Sequence, residues 1–169
     1  MLNLRLATPA DTSTAAKIVE DGRIYLASQG LPQWQDGYGP DCNVIESDAA
    51  NSNGYILELD GKVCGYSALI TDVNLAYDNL GTWEGSSPHY ISITRVALNP
   101  NVRGRGLCAS LLSLLIDEAR RLGCTDIRID THPGNVIMQK AIIRAGFTLR
   151  GNIKLDIPNG ERIAYQLLI

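Results

Sequence analysis

The sequence contains no run approaching the roughly 18 apolar residues that a membrane-crossing helix needs, and its opening "MLNLRLATPAD" lacks the basic-then-apolar layout of a secretory signal. A soluble, cytoplasmic protein with no membrane partner is therefore expected, and the net charge of −3 argues against a nucleic-acid partner. Cys42, Cys64, Cys108 and Cys124 form no Cys-x-x-Cys pair and have only two histidines to help them. That spacing excludes a disulfide framework and a zinc site, so no metal is expected. No Gly-x-x-x-x-Gly-Lys-Ser/Thr run exists, which excludes P-loop phosphoryl transfer. There is no internal repeat, linker or low-complexity tract, and 169 residues suit one domain over 1–169.

The charge that is present is unevenly placed. Residues 31–90 hold nine acids against Lys62 alone, a balance of −8, whereas residues 91–169 hold eleven bases against six acids, a balance of +5. Local potential steers ligands more than net charge does. If the acidic block lined a binding entrance, the ligand admitted there would be a cation; a merely solvated acidic surface accounts for the block equally well.

Alternation of Leu2, Leu4 and Leu6 predicts a half-buried strand, and Asp11 stands where it can cap a helix whose apolar face carries Ala15, Ile18, Val19, Gly22 and Tyr25 up to Gly30. "LPQWQDGYGPD" reads as a loop and Cys42 to Ala50 as a short helix. Asp60-Gly61 between two strand-like runs predicts a hairpin. The polar passage 71–89 shows little periodicity, and a loop of that length is usually functional or mobile. "YISITRVAL" is a strand stopped by Pro100, and Leu111, Leu114, Leu115, Ala119 and Leu122 mark one helical face, with Asp117 placed to pair with Arg121. "DIRID" supplies a strand, "GNVIMQKAIIRAG" a helix, and "FTLRGNIKL" and "RIAYQLLI" a closing hairpin. The order predicts an α/β (α+β mixed) fold around one sheet.

The strongest signal is "PNVRGRGLCASLLSLL". Glycines just before a helix expose unpaired N–H groups at its positive end, and Arg103 and Arg105 add charge, which together make an anion cradle. Gly104, Gly106 and Ala109 satisfy Gly-x-Gly-x-x-Ala, with Asp130 about twenty residues on, as a dinucleotide-binding redox enzyme would require. Against that reading, "NPNVR" separates strand from glycines, and only 39 residues follow Asp130.

Arg103, Gly104, Arg105, Gly106 and Leu107 also resemble the R-x-x-G-x-G/A pyrophosphate loop of the GNAT superfamily of N-acyltransferases, with Cys108 where that family prefers Gly or Ala. "VALNP", "NVIMQKAIIRAGF" and the element order extend the resemblance, whose strongest motifs fall between Thr94 and Phe147. It implies a central, mostly antiparallel sheet flanked by helices, with splayed fourth and fifth strands. It further implies acetyl-CoA as cosubstrate, with backbone groups of Val96, Ala97 and Leu98 on the pantetheine arm, N–H groups from Arg103 to Cys108 on the pyrophosphate, and Asn135 on the arm near its amide. The reaction implied is direct acetyl transfer to a primary amine, either a small molecule, cationic if the acidic block lines its entrance, or a peptide N-terminus. Homodimers are common in the family. A non-catalytic acyl-CoA sensor is the alternative from another class.

The family's usual acid, a tyrosine, would stand at 142, where this chain has Ile142. His132 is the nearest residue with a suitable intrinsic pKa, although a lone loop histidine more often hydrogen-bonds its own turn. Glu84, Asp72 and Asp78 lie in the long loop and offer carboxylates as base or cation ligand. Trp34 and Tyr38 are placed to wall an acceptor pocket. Cys108, at a helix start, is expected to have a lowered thiol pKa, but a thiolate there would face the phosphates, which argues against a nucleophile.

Overall fold

The computed structural model describes all of residues 1–169. Seven strands form one sheet: β1 Leu2–Leu6, β2 Gly54–Leu59, β3 Lys62–Ile70, β4 Ile91–Leu98, β5 Asp126–Thr131, β6 Thr148–Lys154 and β7 Glu161–Leu168. Their spatial order is β1-β2-β3-β4-β5-β7-β6, and only the β4–β5 pair is parallel. Such a sheet has no second parallel half, which rules out the dinucleotide fold. Between Asp60 and Gly61 the β2–β3 turn takes φ of 51° and 77°, the paired left-handed conformation that a two-residue hairpin needs.

Helices cover both faces. Helices α1 (Thr12–Ser28) and α2 (Cys42–Ala50) lie on one side, where Ala15, Ile18, Val19 and Ile45 pack on Ile56, Tyr66 and Ala97. On the other, α4 (Leu107–Arg121) buries Leu111, Leu112, Leu115 and Ala119 against Tyr55, Leu57, Ile93, Ile127 and Ile129, joined by α5 (Val136–Arg144) through Ile142. Within β2, Tyr55 and Leu57 face one core while Ile56 faces the other, so burial on both faces replaces the apolar-polar alternation of a half-exposed strand.

Two local expectations change. Asp11 sits at the start of α1 without capping it; its carboxylate instead accepts two hydrogen bonds from the Arg5 guanidinium, at 2.8 and 2.9 Å, and one from the Thr8 N–H at 2.8 Å. A paired guanidinium is the stronger donor set. On α4 the ion pairs run at i,i+3, Asp117 with Arg120 and Glu118 with Arg121.

The Arg5 hydrogen bonds hold the Asp11 carboxyl well below the usual carboxylate range. With its folded pKa depressed, Asp11 contributes stability at pH values above its unfolded pKa of about 4, and that contribution fades as pH falls toward the folded value. Arg5 is about a third exposed, so solvent screening trims the pair. Asp11→Asn is expected to cost about 1–2 kcal/mol at pH 7 in urea unfolding, with the gap to wild type narrowing below about pH 4.

The segment 71–90 proves to be built. It carries a one-turn helix, α3 (Leu75–Asp78), whose Asn74 cap accepts from the Ala76 N–H. Arg128, tied to Asp126 by two hydrogen bonds, is sandwiched between the rings of Trp83 and Tyr90 at 4.1 and 4.0 Å. Gln166 accepts from the Glu84 N–H and donates to its carbonyl, pinning the loop to β7. Together these contacts fix Tyr77 against the sheet.

Candidate active site

The strands β4 and β5 pair only from Ile91 with Ile127 to Ile93 with Ile129, and then part. The cause lies in β4 itself. Between the pairs Tyr66 with Ala97 and Ala68 with Thr94, Ser67 of β3 opposes two residues, Arg95 and Val96, and Arg95 takes a left-handed φ of 57°. An extra residue on one strand bends it and raises its twist. Val96, Ala97 and Leu98 therefore continue past the last β5 partner and present a strand edge to a cleft of about 830 Å³.

The glycine-rich segment closes one end of this cleft. The short helical turn Pro100–Val102 uses the Arg103 N–H, which donates to the Pro100 carbonyl. After it, none of the backbone N–H groups from Gly104 to Ala109 donates to another backbone group. Gly104 and Gly106 hold φ of 75° and 76°, and a Cβ on either would meet nothing within 4 Å. Their bareness thus serves backbone conformation and the approach of a ligand, with no packing reason for it. Six successive unpaired donors at the start of a 15-residue helix suit a diphosphate.

Side chains of the segment behave less simply than their charges suggest. The Arg103 guanidinium lies 4.4 Å above the Tyr25 ring and donates to the Asp21 carbonyl, so it braces the segment on α1 while still lining the cleft. Arg105 is exposed and outside the lining. Cys108 corrects the expected lowered thiol: burial pushes its pKa up and outweighs the helix start, and its sulfur faces Met138 Sδ at 3.9 Å. Asn135 lines the cleft; its Oδ1 caps α5 by accepting from the Met138 N–H, and its Nδ2 lies 3.4 Å from Gln33 Oε1.

Of the titratable residues singled out from sequence, the cleft gathers few. Glu84 lies outside it, paired with Arg150 at 3.1 Å over the β6–β7 side of the sheet. His132 also stands outside the lining, where Nδ1 accepts from the Gly134 N–H at 2.9 Å and burial lowers its pKa, holding it neutral. Ile142 is fully buried in the core beneath α5. Trp34 and Tyr38 do line the cleft, Trp34 with a left-handed φ of 67°. Asp72 and Asp78 do not, and neither does any other acid of residues 31–90. Asp48, for instance, is buried beneath Tyr66, whose hydroxyl donates to it at 2.7 Å. The acidic block is therefore not the wall of this site.

The carboxylate that does line the cleft is Asp130, at the end of β5 where the strands have parted. The Tyr77 hydroxyl donates to its Oδ2 at 2.6 Å, and Arg162 Nε of β7 lies 3.9 Å from its Oδ1. Burial raises the pKa of the carboxyl, outweighing the lowering by Tyr77 and by Arg162. The Tyr77 hydroxyl, itself buried, is held well above its ordinary pKa and remains a donor. The sequence pattern singled out Asp130 only as the acid spaced for a dinucleotide fold. Nothing in the one-dimensional pattern signals that a tyrosine 53 residues away will meet it. No three His, Cys, Asp or Glu side chains converge as a metal site would require.

A family model described as Acetyltransferase (GNAT) family matches residues 23–147. Among solved structures, a GNAT-family acetyltransferase from Streptococcus agalactiae is 32% identical, with a TM-score of 0.89 over 99% of this chain and 95% of that one. A putative acetyltransferase from Salmonella typhimurium, solved with its cofactor acetyl-CoA, is 23% identical, with a TM-score of 0.66 over 99% and 93%. An aminoglycoside acetyltransferase in complex with coenzyme A is 20% identical, with a TM-score of 0.70 over 99% and 95%, and at that identity the likeness is one of fold alone. No curated protein matches the chain.

Proposed function

Because the chain belongs to the acetyltransferase (GNAT) family, we propose that it moves an acetyl group from acetyl-CoA directly to a primary amine, with Asp130 as the general base. The observation that carries this reading is the partly buried Asp130 carboxyl, its pKa raised by desolvation, standing where β4 and β5 part and opening onto the same cleft as the unpaired N–H groups of Gly104 to Ala109.

The residues present fit the cosubstrate. The N–H groups from Gly104 through Cys108 to Ala109 receive the pyrophosphate, and the free edge of Val96, Ala97 and Leu98 takes the pantetheine arm as an added strand would. The Asn135 amide lies beside that arm. Lys140 and Arg144, on the α5 helix that meets the loop through Met138 and Cys108, supply positive charge for the remaining phosphate.

The chemistry asked of the protein is modest. Asp130 accepts a proton from the acceptor's ammonium, the freed amine forms the C–N bond at the thioester carbonyl, and the C–S bond breaks as the nitrogen's second proton passes to the departing sulfur, releasing coenzyme A as the free thiol. Backbone N–H groups on the parted edge of β4 are placed to stabilise charge on the carbonyl oxygen. Tyr77 keeps the carboxylate oriented through Oδ2 and leaves Oδ1 on the side of Arg162. With Ile142 buried, position 142 supplies no acid, and a thiol as good a leaving group as that of coenzyme A departs without an obligatory one.

The reading is tested by following free thiol when acetyl-CoA is mixed with a panel of primary amines. Amine-dependent thiol release, with the N-acetyl product found by mass spectrometry, is expected. Heat of coenzyme A binding without any such turnover would leave a sensor, and no heat at all would remove the coenzyme assignment.

A further inference from the structure

The charges of the cleft say what sort of amine belongs in it. Its lining contains Arg95, Arg103, Lys140, Arg144 and Arg162 against Asp130 as the one acid. Three of the cations belong to the coenzyme side: Arg103 is braced on Tyr25, and Lys140 and Arg144 project from α5. Arg95 leans on Asp48, 3.6 Å away. Arg162 is different. Its side chain is 5% exposed, its Nη1 donates to the carbonyl oxygens of Asn159 and Glu161, and no hydrogen bond engages Nε or Nη2. Its only carboxylate is Asp130 at 3.9 Å, the group assigned above as the base.

A carboxylate and a guanidinium side by side at the point of reaction complement an ammonium and a carboxylate joined through one carbon. The ammonium meets Asp130 and the carboxylate meets the open Nε–Nη2 edge of Arg162, a two-point fit of the planar, bidentate kind that guanidinium favours. A polycation would meet two arginines and one carboxylate there, with repulsion from the rest of the cleft. Beyond Arg162 the wall turns apolar, with Leu155 and Ile157 from the β6–β7 connection facing the site that Trp34, Tyr38 and Val44 also line. Resting on the acetyltransferase reading, we propose that the acceptor is a free α-amino acid with an apolar side chain, its carboxylate held by Arg162.

The transfer balances as above: the α-nitrogen gains the acetyl group and loses two protons, one to Asp130 and one to the sulfur of coenzyme A, which leaves as the thiol. The experiment compares thiol release with leucine, phenylalanine, leucinamide, spermidine and kanamycin as acceptors, in wild type and in Arg162→Met. Leucine or phenylalanine is expected to exceed leucinamide by about 100-fold in kcat/KM, because a site built to bind a charged group rejects the analogue lacking it. In Arg162→Met the leucine-to-leucinamide ratio is expected to collapse toward one, and a ratio is insensitive to a loss of folded enzyme. Leucinamide, spermidine or kanamycin turned over as well as leucine by the wild type would overturn the amino-acid assignment while leaving the acetyltransferase standing. A ratio unchanged in the variant would overturn the role of Arg162. Thiol release with no member of the panel would remove both readings.

Discussion

Asp130→Asn is expected to lower kcat by about 10²- to 10⁴-fold, the range over which a positioned general base acts, while the affinity for coenzyme A stays near that of wild type. The substituted side chain keeps the volume and can still accept from the Tyr77 hydroxyl, but it takes no proton. The distinguishing readout is pH. In wild type the base must be ionised, so kcat falls as pH drops through the folded pKa of Asp130, and desolvation moves that fall upward from the ordinary aspartate value. In Asp130→Asn that limb is expected to vanish. His132→Ala is the control, since His132 is held neutral in its own turn outside the cleft. If the acid limb followed His132 instead, the base would be misassigned.

Gly106→Val is expected to raise the Kd for coenzyme A by at least about 100-fold, measured by calorimetry, with little loss of fold. A β-branched residue at φ of 76° is strained by about 1–2 kcal/mol, and relieving that strain turns the N–H groups of the loop away from a common point. The new side chain also projects into the open space that a phosphate would occupy, since nothing of the protein lies within 4 Å of a Cβ there. Loss of binding and loss of folding therefore separate at this position. Native-like unfolding with abolished binding is the expected pattern, and undiminished binding would show that the phosphates sit elsewhere.

How far the sequence carries depends on the range of the interaction. The strand Leu2–Leu6, the Asp60-Gly61 hairpin, the α4 helix and the loop at Gly104–Gly106 are each set by residues within a turn or two of one another and are legible for that reason. Leu6 and Leu122, however, expected on buried faces, are exposed, and Leu112 and Ile116 are buried in their stead. The same locality explains the failures. Asp11 reads as a cap until Arg5, brought alongside, outcompetes the helix for its oxygens. Cys108 reads as an acidic thiol until packing against Met138 makes burial the larger effect. The segment 71–90 shows no period because its order comes from Arg128, Gln166 and Arg150 on distant strands, each holding it by one or two contacts.

From the order of residues alone came the α/β sheet and the bare glycine loop at the head of α4, because glycines, caps and periodic apolar positions act locally. Which carboxylate we propose to take the proton was decided only when β5 delivered Asp130 beside Tyr77 of the β3–β4 connection and Arg162 of β7. The charge of the cleft was decided the same way, since the acids that crowd residues 31–90 turn to the surface or to private partners while the cleft collects arginines. Electrostatic environment is a sum over neighbours in space, and a linear chain does not specify those neighbours until it is folded.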